Sequence, residues 1–415
     1  MKQMLMHSDG EMLQTAVLQD GRLMEFFMER SEKSGLVGNV YKGRVINVLP
    51  GMQAAFVDIG LGKNAFLYID DLLHPNLEKQ PATKPSIEEL VRPGQELIVQ
   101  VMKEPLGGKG ARVTTHFTLP GRWLVLMPQA GYVGVSRKIA ADSERARLRD
   151  VGEQLLQGEE GIILRTAASG ESEQSLAADV AQLRASWERI LSQAAEAKAP
   201  TGLHMEAGLL RRIVRDTLDM EVEEVWIDDA SRLQEAAALL REMTPQLEKR
   251  LKLYDQAASL ALFDAFDVTR QVHEAFQPNI RLASGGSLVW GETEALTVID
   301  VNTGKFTGAT NLEDTVFRTN FEAADEIARL LRLRDVGGII IIDFIDMENE
   351  PNRERIMARL NEWARQDRTK CSVVGWTRLG LMEVTRKKAR EGAAGQLTER
   401  CPCCGGSGRQ AQVKV

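Results

Sequence analysis

Two aspartates in this chain each close a strongly apolar run. Asp343 follows Gly337-Gly338-Ile339-Ile340-Ile341-Ile342, and Asp300 follows Leu296-Thr297-Val298-Ile299. Four consecutive isoleucines read as a strand buried on both faces, as in a parallel sheet. Between the two runs lies a helical pattern, from about Leu312 to Leu333. Asn311 and Asp314 have the spacing of a helix start, and Gly337-Gly338 marks a stop. Strand, helix and strand joined this way connect right-handed, with the strands parallel. If the strands are neighbours, Asp300 and Asp343 share one C-terminal edge, where open α/β sheets bind their ligands. Two carboxylates with the nearby carboxamide of Asn302 suit Mg²⁺, which completes its octahedron with water and substrate phosphate. Such an ion generates hydroxide and neutralises charge developing on a phosphate. The competing reading, aspartates that merely cap loops or helices, fits the spacing equally well. Asp346 reads as a cap for the segment beginning near Asn349, with a third ligand as the alternative.

A second constellation closes the chain: Cys401-Pro402-Cys403-Cys404-Gly405-Gly406-Ser407-Gly408. A C-x-x-C turn presents two thiolates, and glycines let the backbone bend around a metal. Structural zinc takes four ligands. The missing pair comes either from a second protomer or from Cys403 with the distant Cys371. The first is favoured, because Cys401 and Cys403 are too close for ordinary knuckle spacing.

Around these sites the composition sets bounds. At 415 residues the chain has room for about two to four domains, and at 43% hydrophobic it can bury real cores. Four cysteines make a poor disulfide framework, and five histidines argue against a His-rich catalytic site. The net charge of −7 argues against indiscriminate nucleic-acid binding but leaves local basic patches free to act. The longest apolar runs fall short of a membrane span. The start, Met1 to Asp9, lacks the apolar core of a signal peptide. The expectation is a cytoplasmic protein with no membrane partner.

The elements that must position the sites follow from pattern. Residues 12–29 read as a β-hairpin around Asp20-Gly21. Residues 35–118 read as all-β, with glycine turns at even spacing; a small barrel of the OB type fits, with a proline-bearing loop at 74–88 inserted. Residues 119–204 mix strands with a helix over Ser175 to Ala197. Residues 205–273 alternate helix (Leu209 to Leu218), strand (Glu224 to Ile227) and helix (Ser231 to Met243). From about 279 the pattern becomes β-α-β. The class is a multidomain α/β protein.

Taken in order, several stretches resemble the catalytic region of the ribonuclease E/G family. They include Asn39-Val40-Tyr41-Lys42-Gly43-Arg44-Val45, Gly51 to Gly60, Gly161-Ile162-Ile163-Leu164-Arg165-Thr166-Ala167, Glu294 to Asn302, Glu322 to Arg329 and Leu331 to Asp335. The isoleucine strand and the Cys-Pro-x-Cys-x-Gly-x-Gly link complete the set. The resemblance implies an RNase H-like subdomain (1–34 and 205–273) with an OB-fold RNA-binding domain (35–118) and a 5′-sensor region (119–204) inserted. A DNase I-like catalytic domain (274–398) and a zinc link with a short tail (399–415) follow.

It also implies an Mg²⁺-dependent endoribonuclease for single-stranded RNA, stimulated by a 5′-monophosphate, in ribosomal RNA maturation or messenger turnover. Its products would carry 5′-phosphate and 3′-hydroxyl ends. Asp300 and Asp343 match the family's metal ligands and Asn302 its supporting asparagine. Arg165 and Thr166 match the 5′-phosphate pocket, where a guanidinium can fork onto phosphate oxygens. Phe56 and Phe66 match aromatics that stack bases, Lys103 and Lys109 match basic residues of the same surface, and Arg334 matches an arginine near the scissile region. Cys401 and Cys404 match the Zn²⁺ ligands that join two chains into a homodimer, or a higher oligomer. Members usually continue past this link into a further small assembly domain, whereas here only Arg409 to Val415 follow. The alternative from another class is a non-catalytic RNA-binding clamp or ribosome-assembly factor. A DNA nuclease would fit the acidic pair but not the sensor match.

Overall fold

The structure is a computed structural model. It describes residues 1–30, 35–81, 83–105, 109–255, 260–293, 295–303, 312–387, 397 and 401–404. The expected helix start at Asn311, the knuckle glycines and the tail from Arg409 lie outside them. By internal packing the chain forms two units: residues 1–30, 222–233 and 250 onward, and residues 31–221 with 234–249.

The first unit begins with an antiparallel meander of β1 (Lys2–Ser8), β2 (Met12–Gln19) and β3 (Arg22–Arg30). Asp20 and Gly21 both take positive φ, 50° and 76°, the backbone of a two-residue hairpin turn matched to strand twist. The expected hairpin is therefore present. Strand β1 was not read from sequence, although Met4, Leu5 and Met6 are fully buried.

In the second unit, β4 (Val40–Leu49), β5 (Ala54–Asp58), β6 (Ala65–Tyr68), β7 (Glu96–Lys103) and β8 (Arg112–Thr114) follow in the order β4-β5-β6-β8-β7. Pairing of β4 with β7 closes them into a five-stranded barrel, consistent with an OB-like fold. Its interior is filled by Val45, Ala55, Val57, Leu67, Val99, Val101 and Val113. Gly43 lets the sheet close, since a Cβ there would lie 2.6 Å from Val57 and 2.9 Å from the Asp58 carbonyl. Beyond the barrel, β9 (Leu119–Pro120), β10 (Leu124–Met127), β11 (Val133–Val135) and β12 (Gly161–Leu164) form a four-stranded sheet. Helices Asp142–Leu155 and Glu173–Glu196 pack on it. Strand β13 (Thr201–His204) pairs with β4 at the edge of the barrel sheet, and the helix Leu209–Asp216 also belongs to this unit.

The chain then returns to the first unit. Strands β14 (Val222–Ile227) and β15 (Leu251–Leu253) extend the opening meander in the order β15-β14-β1-β2-β3, with β15, β14 and β1 parallel. At the exit of β1 and β14, the ring of His7 pairs with the buried carboxylate of Asp228. That hydrogen bond raises the His7 pKa, outweighing partial burial. A raised histidine pKa stabilises the fold below the unfolded-state value, and the gain is lost as pH rises through the folded value. The melting-temperature advantage of the parent chain over His7→Gln should therefore be larger at pH 5.5 than at pH 8.5. An advantage that does not shrink at the higher pH would rule out this linkage.

The last sheet has the order β16 (Asn279–Arg281), β17 (Ser287–Glu292), β18 (Leu296–Asn302), β19 (Gly338–Asp343), β21 (Met382–Arg386), β20 (Cys371–Trp376). Only β18 and β19 are parallel among its described pairs. The isoleucine run is consequently not buried on both faces. Ile340 and Ile342 are fully buried, whereas Ile339 is 51% exposed. Residues alternate across a strand, and the buried side of this one faces the core shared with helices Leu312–Leu333 and Glu350–Gln366.

The helix Leu312–Leu333 matches its predicted span. Its stop is Asp335 rather than the glycine pair. Asp335 takes φ 49°, its N–H bonds the Arg332 carbonyl, and the Val336 N–H reaches back to Leu331. This is a Schellman closure with aspartate in the left-handed position. Arg386, itself buried, holds that carboxylate at 2.7 Å.

Candidate active site and RNA-facing surfaces

Strands β18 and β19 are neighbours, and their register sets Asp300 directly opposite Asp343. Paired residues on adjacent strands place their side chains on the same face. Asn302, two residues on, donates from Nδ2 to Asp300 Oδ2 at 2.9 Å. Asp343 and Asn302 are exposed and Asp300 is half-buried. Among the described residues no lysine or arginine forms an ion pair with either aspartate. No group of three or more His, Cys, Asp or Glu side chains among them is arranged around a common metal position. The donor set is thus two carboxylates and one amide, open on the remaining sides. It fits a hard cation that keeps several waters and takes the rest of its oxygens from substrate. Asp346 is exposed and does not cap the following helix. That helix begins after Asn349 with no side-chain cap, and the Glu348 and Asn349 amides donate instead to Glu313, at 3.1 and 3.3 Å.

In the second unit, Arg165 leaves the end of β12. Its guanidinium donates to the Gly121 carbonyl at 2.6 Å and pairs with Asp216 at 2.6 Å. Thr166 shares a 2.8 Å hydroxyl hydrogen bond with Ser136. Asp179 fixes the 121–124 turn by accepting from the backbone amides of Arg122, Trp123 and Leu124. Burial raises the Asp179 pKa despite those bonds. The Asp216 carboxyl is held low: burial opposes this, but Arg215 and Arg165 outweigh it. Ser136, Asp179 and Asp216 were not singled out from sequence. Each stands on another element than Arg165, beyond the reach of a local spacing rule.

On the barrel, Phe56 pairs with Phe66, Phe66 with Arg112, and Arg112 with Lys103 across four adjacent strands. All four side chains are at least partly exposed. The two rings meet edge to face at 6.0 Å. Phe56 and Phe66 are thus surface-facing rather than core. Arg112 is the member of this row missed by sequence reading. Its guanidinium forks onto buried Asp71 at 2.8 and 3.1 Å. Lys109 is also exposed, just before β8.

Arg334, which the resemblance matched to an arginine near the scissile region, is buried. It is 4% exposed, and its guanidinium donates to the carbonyls of Ala275 and Gln277, both at 2.7 Å. It also stacks 4.2 Å over Trp290 and 5.7 Å over Phe276. Burial brings its pKa down to about 10. Its guanidinium thus ties the end of the helix Leu312–Leu333 to the backbone at Ala275 and Gln277.

Cys401, Cys403 and Cys404 sit at the C-terminal turn and Cys371 opens β20, and none of the four forms a disulfide. Cys401 is exposed, and its thiol pKa is lowered, chiefly by the backbone N–H of Cys404 and then that of Cys403. Amides aimed at a sulfur in this way favour a thiolate, the form that binds zinc.

The profile of the ribonuclease E/G family matches residues 118–389. The chain is 44% identical over 405 residues to Ribonuclease G of Escherichia coli (strain K12), covering 96% of this chain and 82% of that protein. It is 43% identical over 419 residues to Ribonuclease G of Haemophilus influenzae, covering 100% of this chain and 85% of that one. Ribonuclease E of Nostoc sp. is 38% identical over 379 residues, which span 91% of this chain and 55% of the relative. The chain belongs to the ribonuclease E/G family. That membership makes it an endoribonuclease, and over nearly its whole length it is similar to curated proteins named Ribonuclease G. Among the described residues, no helix is long and apolar enough to cross a membrane.

Proposed function

We propose that the chain is a Mg²⁺-dependent endoribonuclease for single-stranded RNA, stimulated by a 5′-monophosphate and acting in ribosomal RNA maturation or messenger turnover. The observation that carries this reading is the pairing of Asp300 with Asp343, with Asn302 hydrogen-bonded to the first. Asp300 and Asp343 hold the cation, and Asn302 sets the orientation of the Asp300 carboxylate. A divalent ion bound there supplies Lewis-acid polarisation and lowers the pKa of coordinated water. Water entering in line with the departing 3′-oxygen leaves 5′-phosphate and 3′-hydroxyl ends. The row Phe56, Phe66, Arg112 and Lys103, with Lys109 nearby, offers stacking faces and cations to a single strand. Arg165 and Thr166 receive the terminal phosphate. Cys401 and Cys404 contribute half of a Zn²⁺ site shared by two chains.

The finer architecture belongs to the same reading. The sheet order β15-β14-β1-β2-β3 supports an RNase H-like subdomain, and the six-stranded mixed sheet with its two helices a DNase I-like one. The domains would run as 1–34 with 205–273, 35–118, 119–204, 274–398 and 399–415, and the setting would be the cytoplasm.

The test is cleavage of one short RNA carrying a 5′-monophosphate, 5′-triphosphate or 5′-hydroxyl, with Mg²⁺ or with EDTA. Cutting should require Mg²⁺ and run roughly 10- to 100-fold faster on the monophosphate, the worth of one or two charge-assisted bonds to phosphate. Arg165→Gln should reduce the monophosphate rate toward that of the hydroxyl RNA. Indifference to the 5′ end would remove the sensor and keep the nuclease. Binding with no cutting in any condition would favour a clamp.

A further inference from the structure

Beyond β19 the chain has no ladder partner among the described residues, yet it must hold Asp343 at a defined place. Residues 344–349 form neither strand nor helix. Within them, Ile345 makes a pair of hydrogen bonds to one side chain. Asn320 Nδ2 donates to the Ile345 carbonyl at 2.7 Å, and the Ile345 N–H donates to Asn320 Oδ1 at 3.1 Å. Ile345 lies two residues after Asp343 and one before Asp346. Asn320 is fully buried on the inner stripe of the helix Leu312–Leu333, in company with Val316, Ala323, Ala324 and Ile327.

Asparagine is a poor helix former, and a buried amide costs free energy unless both its ends are bonded. An apolar residue would suit that stripe better unless the amide has a task. A primary carboxamide offers one donor and one acceptor side by side, as a neighbouring strand would. Aspartate lacks the donor, and glutamine is one methylene too long for this geometry. The same helix grips the loop a second time. Glu313 accepts from the Glu348 and Asn349 amides and, at 2.8 Å, from Asn352 Nδ2. Phe344, between Asp343 and Ile345, is buried, its ring 5.7 Å from Trp376.

We infer that Asn320 is a positioning residue for the acidic pair: it replaces the missing strand at Ile345 and so holds Asp343 opposite Asp300. This rests on the reading of Asp300 and Asp343 as cation ligands. Two carboxylates that serve one ion must stay within a few ångströms of each other, and a free loop at Asp343 would let them part. The role is indirect, because Asn320 bonds the backbone and not the ion.

The test uses Mn²⁺ as the probe, its binding to the full chain followed by electron paramagnetic resonance without RNA. Asn320→Ala and the near-isosteric Asn320→Leu should both bind Mn²⁺ at least ten-fold more weakly than the parent. Hydrogen exchange at the Ile345 amide should be faster in both. Asn320→Leu suits an apolar helical stripe and keeps the experiment decisive if the alanine variant does not fold. Leu330→Ala, which empties a core position farther along the same helix, should lower the melting temperature but keep Mn²⁺ affinity within two-fold. Parent-like Mn²⁺ affinity in the Asn320 variants, with loss in Asp343→Asn, would overturn the inference and leave the cation site standing. Undiminished binding in Asp343→Asn would overturn the cation site itself. Equal loss in Leu330→Ala would reduce the effect to general destabilisation and overturn the inference as well.

Discussion

Asp343→Asn protein should bind single-stranded RNA with the affinity of the parent chain and cut it on the order of 10³-fold more slowly, several kcal/mol of lost transition-state stabilisation. Asp300→Asn should behave the same way. The substitution keeps the size and one oxygen of the side chain but removes the negative charge. The two aspartates stand opposite each other with no counter-cation among the described residues, so each carries a large share of the site's attraction for a divalent ion. The surfaces proposed to hold RNA, on the barrel and at Arg165, belong to the other packing unit and are built from other residues. Asn302→Ala removes the 2.9 Å bond to Asp300 and one neutral oxygen beside the site, but no charge. Its expected cost is smaller, about 10- to 100-fold in metal affinity or rate, as for other outer partners of metal ligands. Single-turnover cleavage with a parallel filter-binding assay separates the two quantities. Parent-like cutting by both aspartate variants would end the assignment of the acidic pair.

Arg334→Met should lower stability by about 3 kcal/mol while leaving the salt dependence of RNA binding unchanged. Methionine keeps much of the packed stem, so the loss isolates the guanidinium. Two buried carbonyls, those of Ala275 and Gln277, then lack their donor, at roughly 1–3 kcal/mol each. The stacking over Trp290 is lost too. Relief from burying a charge offsets part of this, which keeps the net figure near the middle of the range. Thermal melting reports the first half of the expectation. The slope of binding against salt reports the second: loss of an arginine that contacts a phosphate lowers that slope by about one. A lowered slope with unchanged melting would return Arg334 to the RNA surface.

A linear reading succeeds where the signal is carried by near neighbours. Strand and helix periods are local, so the Asp20-Gly21 hairpin, the glycine-punctuated barrel and the helix Leu312–Leu333 were legible in residue order. The adjacency of Asp300 and Asp343 was legible as well. One crossover helix between two apolar runs leaves few topologies, and adjacency of the strands follows from the commonest of them. The resemblance to the ribonuclease E/G family was carried by motifs in sequence order, and the comparison with its members bears it out.

Other features had no local mark. An isoleucine run looks the same whether one face or both are covered. The open face of β19 depends on helices packing from one side and on an antiparallel neighbour, β21, that arrives some forty residues later. Arg334 reads as a surface cation until Trp290 and Phe276, contributed by distant segments, enclose it. Asn320 signalled itself only as a polar residue on an apolar stripe, and its partner is visible only once β19 has been laid down. Ser136 bonds Thr166, Asp216 pairs with Arg165 and Asp179 fixes the turn that accepts from Arg165, each from a separate element. Composition, period and motif order thus settled the class of protein and the type of its elements, because those depend on near neighbours. Which charges face solvent, which are spent inside and which side chain steadies the acidic edge were decided by packing, because burial and hydrogen-bond partnership belong to residues far apart in the chain.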